Sequence, residues 1–299
     1  MADNTFVLDN YNNIPVKAPG LTKKQLSEWP PFRNWISTLT HSLSLQSQSS
    51  SHPFHNDPYR LKDITIESYS TFRGNNIGFL KLNANVSTES NNSHLPGITF
   101  LRGPAVAMLV VLTPDDVAAD QLDEAYVLLT VQPRIPTGSL GFVELPAGMI
   151  DGDSNFAGVA AKEMEEELGL VIKQDELTCL TDKVAEIRKV REGRKKAARS
   201  TGEEKVDATK DERIPFGMYP SAGGCDEYIK IFSHERRVPR DTLQEWEGKY
   251  GGLRDDGEMI TLKLVPLADL WLEGAMDSKA LAAVTLFHQV RQWEKQSTK

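Results

Sequence analysis

Two cysteines in 299 residues, Cys179 and Cys225, are too few for a disulfide framework to hold the chain together. A reducing compartment is expected, with the cytoplasm as the default. Long hydrophobic sequence is also missing. The longest strongly apolar run, Ala105 to Leu112, is far too short to cross a bilayer, which argues against a membrane protein. The opening MADNTFVLDN has neither the basic nor the apolar region of a secretory signal, and it is too acidic and Arg-poor for an organellar transit peptide. There is no basic excess either. A net charge of −8 argues against a general nucleic-acid binder. It leaves phosphorylated substrates open, because a bound divalent cation reverses the local field. The six histidines (His41, His52, His55, His94, His234 and His288) show no zinc-like spacing; His52 and His55 are close but sit in a Ser/Pro-rich stretch.

What is present is ordinary globular composition, 39% hydrophobic and 25% charged, in a chain long enough for one large domain or two smaller ones. Residues 1–58 read as an arm. A helix is expected from Thr22 to Leu45, interrupted at Pro30 and Pro31, and Ser47 to Pro58 reads as a flexible linker. Residues 59–102 read as a small β-region, with alternating runs on either side of a turn at Gly74 to Asn76. Strands are expected at Ala105–Leu112, Ala125–Val131, Tyr228–Ser233 and Met259–Val265, and a closing helix at Asp277–Trp293. Residues 188–213 carry ten Lys/Arg against six Asp/Glu and read as a disordered surface loop, with docking to an acidic partner or nucleic acid as the alternative. Strands interleaved with a few helices indicate an α+β or α/β sandwich.

The most informative segment is ELPAGMIDGDSNFAGVAAKEMEEELGL, Glu144 to Leu170. Phe156 to Leu168 is expected to be a helix ended by Gly169. Ala157, Ala161, Met164 and Leu168 would face the core, while Glu163, Glu166 and Glu167 share a separate arc at a rotation of ~100° per residue. Like charges at i, i+3 and i+4 repel by a few tenths of a kcal/mol per pair, and the negative end of the helix dipole adds to the repulsion. A hard divalent cation with oxygen ligands would relieve that. On its own, an EMEEE run is more often a solvated acidic face.

The surrounding residues change that balance. The segment resembles the Nudix box, G-x5-E-x7-R-E-U-x-E-E-x-G-U with U apolar: Gly148, Glu163, Met164, Glu166, Glu167, Gly169 and Leu170 fall on the pattern. Ser154 stands where the first Glu belongs and Lys162 where the Arg belongs. Lys162 keeps the charge without the bidentate fork. Further blocks, PGITFLRGPAVAMLVVL, VQPRIPTGSLGFVELPAGM, YPSAGGCDEY and GLRDDGEMITLKLVPL, resemble in order the Nudix branch that hydrolyses ADP-ribose and ADP-sugars, and the IGFLK strand extends the likeness to plant ADP-sugar diphosphatases.

The resemblance implies a Nudix α/β/α sandwich over residues 103–299, behind the helical arm and small β-region. It implies hydrolysis of the diphosphate bond of a nucleoside diphosphate sugar with Mg²⁺ or Mn²⁺. The implied metal ligands are the Ala147 carbonyl, Glu163, Glu167 and also Glu166 and Glu258. The implied catalytic residues are Asp256, Glu258 and Glu166, with Asp256 or Glu258 as the base that activates water. Arg134 would clamp phosphate or sugar oxygens, the alternative being a surface arginine. Gly224, Asp226 and Glu227 would line the substrate pocket, the alternative being a turn with a helpful carboxylate. Cys225 reads as a small buried residue and not a nucleophile. A homodimer through the N-terminal β-region is implied as well. The two departures from the box keep open a second reading: a Nudix-fold protein that binds nucleotide sugars without cleaving them.

Overall fold

The computed structural model describes residues 4–72, 76–118, 120–150, 155–198, 211–252 and 259–297. They form two compact units. The first contains the described residues of Met1–Pro104, Arg199–Pro215 and Ser221–Glu227. Its strands are β1 (Thr5–Leu8), β2 (Ile14–Lys17), β3 (Arg60–Thr71), β4 (Ile77–Ser87), β5 (His94–Leu95) and β6 (Ile98–Leu101). They order as β1-β2-β3-β4-β5, with β6 also paired to β4. The strands of the expected arm thus belong to the same sheet as the β-region, because β2 runs parallel to β3 with Val16 opposite Ile64.

The long helix expected from Thr22 is two helices, α1 (Lys23–Glu28) and α2 (Pro30–Leu45). Thr22 and Gln25 form a capping box on α1. Trp29, held extended ahead of Pro30, ends the first helix, and the proline opens the second where its missing N–H costs nothing. Leu26, Phe32 and Ile36 of these helices join Val16, Ile64, Leu80 and Leu82 of the sheet in one core. The ends of the Ser47–Pro58 stretch are tied together by Gln46, whose side chain bonds the backbone of Tyr59 in both directions at 2.9 Å.

The second unit contains the described residues of Ala105–Ala198, Phe216–Pro220 and Tyr228–Lys299. Its strands are β7 (Ala105–Pro114), β8 (Tyr126–Arg134), β9 (Ser139–Glu144), β10 (Ala147–Met149), β11 (Thr178–Cys179), β12 (Ile229–Val238), β13 (Tyr250–Gly251) and β14 (Ile260–Pro266). They run β11-β12-β7-β8-β14-β13, with β10 added to β7 and β9 to β8. Its helices are α3 (Phe156–Leu168), α4 (Leu180–Ala198), α5 (Arg240–Trp246), α6 (Leu270–Glu273) and α7 (Ser278–Ser297).

Every residue of β7 is buried, as a continuous apolar run requires of a strand covered on both faces. Ala105, Ala107, Leu109 and Val111 pack with Leu180 of α4 and with Ala280, Ala283, Phe287 and Val290 of α7. Val106, Met108, Val110 and Leu112 pack on the other face with Ala160, Met164 and Leu168 of α3 and Leu243 and Trp246 of α5. This is the expected α/β/α sandwich.

Two expectations are corrected. The basic stretch expected as a disordered loop is helical as far as Ala198, where α4 ends; Arg188 pairs with Glu192 one turn on, and Arg191 and Arg194 stack over Trp293. Residues 199–210 lie outside the described residues. On α3 the fully buried alanine is Ala160, while Ala157 and Ala161 are half-buried, so the core face is rotated from the expected stripe. Among the described residues, no helix is long and apolar enough to cross a membrane.

Candidate active site

Helix α3 starts where the Asn155 side chain accepts the Gly158 N–H at 3.0 Å. It ends at Gly169, whose φ of 66° suits the left-handed cap, with bonds from Gly169 N–H to the Glu165 carbonyl and from Leu170 N–H to the Met164 carbonyl. Between the caps, Met164 and Leu168 anchor the helix in the core and so fix the direction of its glutamates.

Glu163 is brought to the ELPAG turn. A Cβ placed on Gly148 would lie 1.9 Å from Glu163 Oε1, so the carboxylate occupies the space that a side chain at 148 would need. Ala147, the neighbour of Gly148, opens β10, opposite Ala107 of β7. Glu167 is buried at 5% exposure on the core side of α3. Glu166 is half-buried and pairs with Lys162 at 3.2 Å, so the lysine at the arginine position of the box does hold a neighbouring glutamate.

The last turn of α3 is met by β13. A Cβ on Gly251 would fall 1.9 Å from the Glu167 carbonyl oxygen, and Gly252 N–H donates to the Glu166 carbonyl at 3.1 Å. This satisfies a backbone acceptor that the helix end leaves over. It also fixes the described residue before segment 253–258 beside the glutamate-bearing turn. Asp256 and Glu258 lie outside the described residues, as do Asp151, Asp153 and Ser154. Sequence reasoning missed Gly251 and Gly252, although a Gly-Gly pair before a strand signals close backbone approach.

The candidate donors, two glutamates of α3 and the Ala147 carbonyl beside Gly148, are hard oxygen throughout, which suits a small divalent cation. Among the described residues, no cluster of three or more His, Cys, Asp or Glu side chains forms a ready metal cage. Glu163, Glu167 and the Ala147 carbonyl are the groups that would hold such an ion, because the glycine at 148 leaves room for a carboxylate beside the turn.

Arg134 ends β8, and its Nε donates to Glu144 Oε1 at 2.5 Å. Glu144 is buried and also receives Lys279 Nζ at 2.9 Å. Lys279 in turn bonds Asp277 Oδ1 at 2.9 Å, and Asp277 Oδ2 accepts the Leu145 N–H at 2.9 Å. Burial would push the Lys279 ammonium down, but Asp277 and Glu144 outweigh it and raise its pKa above the usual lysine value. Sequence reasoning found Arg134 but not Lys279 or Asp277, which lie more than 130 residues along the chain from their partners.

The pocket-lining residues expected at Ser221–Glu227 fall in the first unit. Gly224 accepts the Phe100 N–H at 2.8 Å. Asp226 accepts the N–H groups of Arg102 and Gly103, and Glu227 pairs with Arg102 at 3.3 Å. Burial raises the Asp226 carboxyl above the usual range, against the lowering effect of those amide bonds. The Cys225 thiol is also raised, chiefly by burial, which disfavours the thiolate a nucleophile needs.

Over 261 residues, 87% of this chain and 70% of its relative, the sequence is 34% identical to Nudix hydrolase 14, chloroplastic, of Arabidopsis thaliana. The chain belongs to the Nudix hydrolase family. No family model matches it. A solved structure, the crystal structure of ADP compounds hydrolase, is similar at a TM-score of 0.40 and 18% identity, covering 80% of this chain and 97% of that one, too distant to add to the assignment. As a Nudix hydrolase, the chain carries its family helix as α3, packed on a fully buried β7, with the glycine of the box making room for the first glutamate of the EMEEE run.

Proposed function

We propose that this Nudix hydrolase cleaves the diphosphate bond of a nucleoside diphosphate sugar of the ADP-ribose or ADP-glucose type, giving a nucleoside monophosphate and a sugar phosphate. The observation that carries the reading is the packing of the Glu163 carboxylate on Gly148, next to Ala147 and on the same helix as buried Glu167. Mg²⁺ or Mn²⁺, when bound, would neutralise the diphosphate and make a water more acidic. Arg134, oriented by Glu144, would take phosphate oxygens through the rest of its fork. Asp256 or Glu258 would accept the proton of the attacking water, as the P–O bond to the leaving phosphate breaks. The fixing of Gly252 on the Glu166 carbonyl supports a role for that segment. The sequence blocks quoted above support the nucleotide-sugar class, and they carry the substrate-lining role of Gly224, Asp226 and Glu227.

The second reading, binding without hydrolysis, is favoured by Ser154 and Lys162 at two positions of the box. Incubation with ADP-ribose, ADP-glucose and UDP-glucose, in Mg²⁺ and in EDTA, separates the two. AMP and ribose 5-phosphate formed from ADP-ribose only with metal support hydrolysis; saturable binding with no product supports the sensor. A homodimer through the first unit fits its exposed Val7, Leu95, Ile98 and Phe100, and sedimentation as a monomer would refute it. The two free thiols are in keeping with a reducing compartment such as the cytoplasm.

A further inference from the structure

Beyond the helix and its glutamates, the second unit holds a four-member ion network with one end at Arg134. In order it runs Arg134 Nε to Glu144 Oε1, Glu144 Oε2 to Lys279 Nζ, and Lys279 Nζ to Asp277 Oδ1. Two cations and two anions balance. Lys279 is 13% exposed at its side chain, Glu144 5% and Asp277 3%, while Arg134 emerges at 38%. The chain therefore leads from a charged, enclosed interior to a guanidinium that ligands can reach.

Networks of this kind add little net stability over a packed apolar core, since desolvating the charges offsets their attraction. What this one supplies is geometry. Asp277 has one oxygen on the Lys279 backbone N–H at 3.0 Å, in the first turn of α7, and the other on the Leu145 N–H, so it is immobilised. Lys279 is held by Asp277 and passes that constraint to Glu144. Glu144 then has one oxygen for Lys279 and one for Arg134. Without the ammonium, the Glu144 carboxylate has a single cation to serve and a second buried carboxylate nearby, and its orientation toward Arg134 is no longer fixed.

We infer that Lys279 is a positioning residue for substrate binding, acting through Glu144 to hold the Arg134 guanidinium where it can meet the diphosphate. The inference rests on the function proposed above. It differs from a general structural role in one respect: the effect of Lys279 on binding must pass through Arg134.

A double-mutant cycle tests this. Wild type, Lys279→Met, Arg134→Ala and the double variant are compared for KM and kcat on ADP-ribose with Mg²⁺, and for the Kd of ADP-ribose in EDTA. Lys279→Met is expected to raise KM and Kd about tenfold while changing kcat much less. Lys279→Arg, which keeps the charge, restores most of the loss. In the Arg134→Ala background, Lys279→Met adds no further weakening, the non-additivity expected of residues acting in series. Equal weakening in both backgrounds overturns the inference, as does unaltered binding in Lys279→Met. If thermal melts show that Lys279→Met does not fold, Glu144→Gln, of the same shape, takes its place in the cycle with the same expectations. The Kd cycle decides the matter even if the wild type releases no product, a result that would count against hydrolysis alone. A wild type that binds no ADP-ribose overturns the inference.

Discussion

The carboxylate of Glu163 sits directly over the α-carbon of Gly148, in the volume a Cβ would fill. Gly148 is not among the left-handed glycines, so what the position requires is space and not an unusual φ. Gly148→Ala should therefore leave the strand pairing of β10 intact and displace Glu163. If Glu163 is a metal ligand as proposed, a shift of about 1 Å should lower turnover on the order of 100-fold. Steady-state kinetics, with circular dichroism to confirm the fold, check this; wild-type kcat would remove Glu163 from the site.

Glu167 presents a different test, because it is buried beside Met164 and Leu168. Glu167→Gln keeps the shape and removes the charge. If Glu167 is a metal ligand, wild-type protein should melt at higher temperature as Mg²⁺ is added, by linkage of binding to folding. The variant should lose that rise and lose turnover by roughly 100-fold or more. A variant that still gains thermal stability from Mg²⁺ as the wild type does would show that the ion is held elsewhere.

Asp226 joins Arg102 and Gly103 through their backbone N–H groups. Asp226→Ala leaves those donors without this acceptor and should lower unfolding free energy by about 1–3 kcal/mol. The carboxyl pKa is raised, by burial first, so the folded protein holds that proton more tightly than the unfolded chain. Stability from this group is then present at low pH and falls as pH rises from the ordinary carboxyl range through the raised one. Asp226→Asn lacks the titration, so its stability relative to wild type should improve over the same window. Urea unfolding at several pH values reads the difference. A constant gap between the two proteins would contradict it.

The parts of the molecule legible in sequence were those with short-range signals. The all-apolar β7, the Gly169 cap and the glutamate spacing of α3 each depend on residues within a few turns of one another. The break at Trp29 was visible because proline constrains its neighbour. What stayed hidden depended on distant partners. Lys279 has meaning only beside Glu144, and Asp226, though singled out in the sequence, could not be matched there to its partners, the amides of Arg102 and Gly103. The first half of the basic stretch illustrates the same point from the other direction: its low hydrophobicity suggested a loop, and the ring of Trp293, about a hundred residues away, is what its arginines Arg191 and Arg194 cover.

That last contact can be tested. Arg191 Cζ lies 4.8 Å and Arg194 Cζ 5.5 Å from the Trp293 ring centroid, so α4 and α7 are joined by two cation–π contacts outside the sheet core. At exposed positions each contributes about 0.5–1 kcal/mol. Trp293→Ala should then lower unfolding free energy by about 1–2 kcal/mol, by adding the two. It should also speed tryptic cleavage after Arg191 and Arg194, because the helix loses the surface against which these side chains rest. Replacing both arginines with glutamine should give the same loss of stability, and Trp293→Ala should then cost little more in that background, since the partners of the ring are already gone. If cleavage and unfolding are unchanged in Trp293→Ala, the stacking does not hold α4 in place, and the helix must be maintained by its own ion pairs such as Arg188–Glu192.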